Sequence, residues 1–244
     1  MKYCALVLFL LSFASFSNAE TLEFVFSDFP PFEYTENGAS TGINKEIIEE
    51  ACSRLDLTPV FIQLPWKRAL QYAKEGSANA VFSLFKNDER MRYYNFPEEN
   101  INTVRMVLIT NRESNIEINS IEDMKGKRVG IYLGSSYGEK FDATDQILKD
   151  PATTNESLLR KQAVKRTDFA IIDERVAKYW CKQIGMEDTF RILNYIVTEK
   201  KTYVAFSKAT EKVNGKNIAS KFSAVLKEMK AEGIIEEINA KYLF

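Results

Sequence analysis

Four places in the chain combine residue types that can hold a small charged molecule. In Ser83-Leu84-Phe85-Lys86-Asn87-Asp88-Glu89-Arg90 the arginine lies on a predicted helical turn just beyond a strand end. Its guanidinium can fork onto a carboxylate through two charge-assisted hydrogen bonds. It can equally pair with Asp88 or Glu89 at the surface. Gly134-Ser135-Ser136 follows another strand and opens a predicted helix, offering N–H groups and hydroxyls to an anion or serving as a plain cap. Asp173 ends a further strand, where it can receive an ammonium group or cap the helix that follows. The Phe29-Pro30-Pro31-Phe32 corner and Trp66 set aromatic rings beside strand ends, suited to stacking on a bound molecule or to core packing.

The elements that position these residues alternate β-rich runs with amphipathic helices, the pattern of an α/β protein with parallel-sheet units. The first half reads as strands at 22–27, 59–63, 78–83 and 103–110, helices at 42–55 and 65–74, and a turn at 88–94. The helix at 42–55 puts Ile43, Ile47, Ile48, Ala51 and Leu55 on one face. The second half opens with a capping-box start at Ser120-Ile121-Glu122-Asp123. Its strands are predicted at 128–133, 169–172, 190–194 and 201–207, and its helices from Gly134 and at 156–163, 174–184, 217–230 and 234–242. No linker, low-complexity segment or repeat separates the halves. Open α/β sheets bind ligands at the carboxyl ends of their strands, and all four candidate places lie there.

Composition removes many other functions. The 244 residues carry 33 Lys+Arg against 34 Asp+Glu, so no sequence-wide basic field exists to hold nucleic acid. The absence of His excludes His-dependent triads and dyads and the commonest zinc ligand. No phosphate loop, dinucleotide fingerprint or nucleophile elbow occurs, so neither metal nor cofactor is expected. Lys2, the apolar run Cys4–Phe16 and Ser17-Asn18-Ala19 read as a secretory signal peptide, residues 1–19, cleaved after Ala19. The run is too short to span a bilayer. Cys4 opens the run rather than following a cleavage point, so no lipid anchor is expected and the mature protein should be free in its compartment. Cys52 and Cys181 fall on apolar helix faces far apart in the chain, where free buried thiols are expected.

The order of these features resembles the bacterial periplasmic solute-binding proteins of family 3, receptors of amino-acid ABC transporters. The aromatic-x-Pro-Phe corner is matched by Phe29-Pro30-Pro31-Phe32-Glu33, and the Gly-Phe-Asp helix start by Gly42-Ile43-Asn44. Lys74-Glu75-Gly76-Ser77-Ala78-Asn79 and Asn87-Asp88-Glu89-Arg90 are similar to two further family elements. The most specific match is Ile121-Glu122-Asp123-Met124-Lys125-Gly126-Lys127-Arg128-Val129-Gly130, continuing to Gly134-Ser135-Ser136. Arg166-Thr167-Asp168-Phe169-Ala170-Ile171-Ile172-Asp173 resembles the strand carrying the family's amine-binding Asp.

The resemblance implies a two-lobed periplasmic-binding-protein fold of type II, with two α/β lobes joined by two crossing hinge strands. One lobe would comprise residues 20–109 with 202–244, the other 110–201. In the cleft, Arg90 would hold the ligand α-carboxylate with help from Ser136, Ser135 would lie beside it among the binding residues, Asp173 would take the α-ammonium, and Phe29 would stack on the side chain. Trp66, Ser83 and Phe85 would complete the wall. A small polar ligand, an α-amino acid, would pass to a membrane permease, with the receptor itself a monomer. Bulky Leu84 and Phe85 and the variant Pro65-Trp66-Lys67-Arg68-Ala69-Leu70 leave the side-chain class open. Two other functions stay open. One is a cyclohexadienyl-dehydratase-like enzyme with Glu33 or Asp28 as general acid. The other is a sensor module for a separate membrane receptor.

Overall fold

A computed structural model describes residues 20–210 and 215–242. The predicted signal peptide lies outside the described residues. In chain order the strands and helices are β1 (Glu20–Phe26), β2 (Tyr34–Glu36), β3 (Ala39–Thr41), α1 (Ile43–Arg54), β4 (Leu57–Gln63), α2 (Trp66–Lys74), β5 (Ala80–Phe85), α3 (Asp88–Met91), β6 (Tyr94–Asn95) and β7 (Asn102–Asn111). There follow β8 (Arg128–Tyr132), α4 (Glu139–Ala143), β9 (Leu148–Ala152), α5 (Asn155–Ala163), β10 (Phe169–Asp173), α6 (Glu174–Gln183), β11 (Phe190–Ser207), α7 (Gly215–Ala231) and α8 (Ile234–Ala240).

β7 and β11 pair antiparallel over most of their length and run through the middle of one sheet ordered β4-β1-β5-β11-β7-β10-β8-β9, with β6 also on β11. On one side β4, β1 and β5 are mutually parallel, and on the other β10, β8 and β9 are. Because β5 is antiparallel to β11, and β10 to β7, the two parallel sets run in opposite senses. The register brings their ends together. Phe85, at the end of β5, pairs with Thr202, while Asp173, at the end of β10, pairs with Met106, which pairs with Thr198. Four residues of extended chain, roughly 13 Å, therefore separate two facing carboxyl ends.

Periodicity explains most of the core. α1 buries Ile43, Ile47, Ile48, Ala51 and Cys52, an i, i+4 stripe that faces the sheet. Phe24, Phe82, Phe206 and Phe222 are essentially unexposed, with Phe206 and Phe222 edge to face at 5.0 Å between centroids; burial of each such ring stabilises by about 1.5–3 kcal/mol. Gly42 fixes the entry to α1. A Cβ there would lie 2.5 Å from the Phe32 carbonyl oxygen, and its φ of 116° suits glycine alone. The Phe29–Phe32 corner is thereby locked against the start of α1.

Two expectations are corrected. The strands predicted at 190–194 and 201–207 are one strand, β11, with register irregularities around Ile196 that interrupt its alternation. No helix starts at Gly134-Ser135-Ser136. Tyr137 is buried and its hydroxyl accepts the Tyr132 N–H at 2.7 Å, so the chain loops and α4 starts only at Glu139. Cys52 and Cys181 are free thiols in α1 and α6.

Candidate functional site

Where the two sets of strand ends meet, the chain encloses an empty volume of about 650 Å³, part of it open to solvent. Phe29, Trp66, Ser83, Phe85, Arg90, Ser135, Ser136 and Asp173 all line it. Sequence reasoning also named Asp28 and Glu33, as acids for an enzyme, and both are in the wall. It did not single out Ser27, Met106, Tyr132, Tyr137, Asn155 or Thr202, which line it too. Tyr132 ends β8, one residue short of the end of the strand predicted at 128–133, and so was within reach of the strand-end rule. Thr202 lies on β11, where its type gave no signal.

Arg90 is held by its own turn. The Asn87 side chain caps α3 by accepting the Arg90 N–H at 2.8 Å, and Arg90 Nη1 donates to the Phe85 carbonyl at 3.0 Å. The guanidinium is partly buried, and loss of water holds its pKa below the ordinary value. Among the described residues it forms no ion pair; Glu89 and Asp142 oppose the lowering of its pKa only in part.

Asp173 is 1% exposed and is the N-cap of α6. Its Oδ2 accepts the Arg105 N–H at 2.8 Å, and its Oδ1 the N–H groups of Arg175 and Val176 at 2.9 and 3.2 Å. Burial pushes its pKa up, while these amides and Arg175 oppose the rise. A carboxylate offers about four acceptor sites. Three amides leave room for one more donor.

The serines behave differently from each other. Ser136 donates to Asp142 Oδ2 at 2.6 Å, and the same carboxylate takes the Tyr137 and Gly138 N–H groups, so the expected anion cradle is occupied by an aspartate of this chain. Ser83 has a left-handed φ of 59°, an uncommon conformation for a non-glycine residue. It donates to Glu33 Oε2 at 2.7 Å and accepts from Asn44 Nδ2 at 2.8 Å. Glu33 is fully enclosed, and burial pushes its pKa up to about 8 despite the bonds from Ser83 and Asn44.

Aromatic residues close the cavity. Phe29 stacks on Phe32 with centroids 5.0 Å apart and planes 14° from parallel. Trp66 Nε1 donates to the Gly134 carbonyl at 3.3 Å, and Ser27 bonds the Tyr132 hydroxyl at 3.2 Å, so both contacts cross from one set of strands to the other. Arg175 donates to Asn102 Oδ1 and to the Thr103 carbonyl and lies 4.2 Å over the Phe32 ring. The indole of Trp66 thus serves as a clasp across the cleft as well as a wall.

A cavity fed by facing strand ends, with two long strands joining the halves, is accompanied by a family match over residues 24–244, described as bacterial extracellular solute-binding proteins, family 3. The chain belongs to that family. It is similar to the probable amino-acid-binding protein YxeM of Bacillus subtilis, at 26% identity over 216 residues covering 87% of this chain and 79% of that one. It is also similar to the arginine-binding extracellular protein ArtP of Bacillus subtilis, at 24% identity over 220 residues, covering 88% and 83%. An arginine 3rd transport system periplasmic binding protein from Legionella pneumophila superposes with a TM-score of 0.76 at 21% identity, over 92% of this chain and 100% of that one. This solute-binding protein accordingly has the two-lobed α/β fold of periplasmic binding proteins. Among the described residues no helix is long and apolar enough to cross a membrane.

Proposed function

We propose that this protein captures a small α-amino acid in the cleft between its lobes and delivers it to the permease of an ABC transporter, without chemical turnover. The observation that carries the reading is Arg90, a partly buried guanidinium that lines the cavity and has no ion-pair partner among the described residues. In this reading the ligand α-carboxylate pairs with Arg90 and the α-ammonium donates to the remaining acceptor site of Asp173. The two residues belong to opposite sets of strands, so a ligand that engages both stabilises the closed state. Residues 20–109 and 202–244 form one lobe and 110–201 the other, with Trp66–Gly134 and Ser27–Tyr132 as closure contacts. The mature chain, freed of residues 1–19, acts as a periplasmic monomer. Amino-acid-binding relatives support the ligand class.

A second reading has one observation in its favour. Glu33, in the cavity wall with its carboxyl pushed up to about 8 by burial, is the kind of group a dehydratase general acid would require. Thermal denaturation with each common L-amino acid tests the first reading, since a ligand at 100 times its Kd adds about 2.7 kcal/mol, or roughly 5–10 °C. At least one amino acid should give such a rise, and prephenate and arogenate should pass through the same samples unchanged. No rise with any amino acid, or turnover of either cyclohexadienyl compound, would contradict the proposal.

A further inference from the structure

We infer that Arg175 is an interlobe latch, a positioning residue outside the cavity that holds the closed arrangement and so sets affinity without touching the ligand. This deepens the reading of a ligand captured between two lobes and rests on it. Arg175 lies in the first turn of α6, two residues beyond Asp173, and is not part of the cavity wall. Its guanidinium reaches away from its own lobe. Nη1 donates to Asn239 Oδ1 on α8 at 3.3 Å. Nη2 donates to Asn102 Oδ1 at 3.1 Å and to the Thr103 carbonyl at 2.6 Å, both at the start of β7. The group also lies 4.2 Å over the ring of Phe32, which is stacked on Phe29 of the cavity wall. All four contacts fall on the lobe opposite to the one that carries α6.

The latch spans the segment that has to bend. Asn102 pairs with Thr202 beside the end of β5, and Met106 pairs with Thr198 beside the end of β10. Residues 103–105 and 199–201 therefore join the two lobes. A rotation there draws α6 away from α8 and Phe32, so opening breaks the Asn239 bond and the ring contact. The acceptors are held in place beforehand. Asn102 Nδ2 donates to Asn44 Oδ1 at 3.3 Å and to Asn239 Oδ1 at 3.4 Å, and Asn239 Nδ2 donates to the Ile235 carbonyl at 2.8 Å. Both amide oxygens are thereby turned toward Arg175. Asn44 in turn donates to Ser83 and Glu33 of the cavity wall, so the surface that receives the latch is continuous with that wall. A planar guanidinium with five donors suits several separate acceptors. Because those acceptors are neutral, release breaks no ion pair, as a reversible closure requires.

Small-angle X-ray scattering of the ligand-free protein, with Arg175→Met beside the unaltered chain, tests the latch. Methionine keeps the main-chain N–H bond to Asp173 and removes every side-chain donor. The variant should have the larger radius of gyration, and a saturating equimolar mixture of the common L-amino acids should bring both proteins to the same radius. Calorimetry should show Arg175→Met weakening the amino acid that binds and its des-amino analogue by one common factor, on the order of tenfold, because a smaller closed fraction lowers every apparent affinity alike. Asn239→Ala, which removes one acceptor on α8, should move both readouts the same way by a smaller factor, and it keeps the test valid if Arg175→Met fails to fold. Equal radii for the ligand-free proteins overturn the latch. So does a loss confined to the amino acid, which would mean that Arg175 acts only through Asp173. If no amino acid binds, the capture reading falls, and the ligand-free radii still decide the latch.

Discussion

Replacing Arg90 with Ala is expected to weaken amino-acid binding by roughly 30-fold to several-thousand-fold, the usual cost of leaving a partly desolvated charge unpaired. The guanidinium is aimed by its bond to the Phe85 carbonyl and by the Asn87 cap beneath it, not by a carboxylate among the described residues. Its removal therefore breaks no ion pair, and burial already disfavours its charge. The ligand-free variant should melt near the unaltered protein. Affinity and stability thus separate. The loss should be equally large for the amino acid and for its des-amino analogue, because both carry the carboxylate. Calorimetric titration checks this, and a loss below threefold for both ligands would reduce Arg90 to a strand-end anchor.

For Asp173→Asn the expected result is selective. The amino acid should weaken by roughly 30-fold or more, and the des-amino analogue by far less. The substitution also has a structural cost, because both carboxylate oxygens accept main-chain N–H groups at the start of α6. An asparagine keeps one oxygen and turns an N–H donor toward an amide at the other position. Ligand-free stability should fall by about 1–3 kcal/mol, readable as a lower melting temperature. Titration of the folded variant with both ligands separates the roles. Small and equal losses across the pair would make Asp173 a helix cap and nothing more.

Much of this molecule follows from local rules. The stripe of α1 and the apolar runs of β1, β5, β7 and β10 have the periods that their burial requires. The eight candidate residues were legible because strand ends are where such sheets bind, and the cavity gathers them all. What was hidden depends on tertiary structure. β9 contains Lys149, Asp150 and Pro151, a poor strand by composition, and exists as an edge strand beside β8. The Gly134-Ser135-Ser136 loop reads as a helix cap because the hydroxyl signal is the same; only the burial of Tyr137 sends the chain past it. Thr202 enters the wall through the register of β11, and Glu33 owes its raised pKa to burial beneath Ser83 and Asn44.

The central claim is that one ligand presents a carboxylate and an ammonium group to this cleft. The most direct measurement leaves the protein unaltered and edits the ligand. The amino acid giving the largest thermal shift is titrated by calorimetry beside its des-amino analogue and its α-carboxamide. Each deletion should weaken binding by roughly 30-fold or more, since each leaves a desolvated partner unmatched. Analogues that bind within threefold of the parent amino acid would show that neither end group is recognised and would contradict the account.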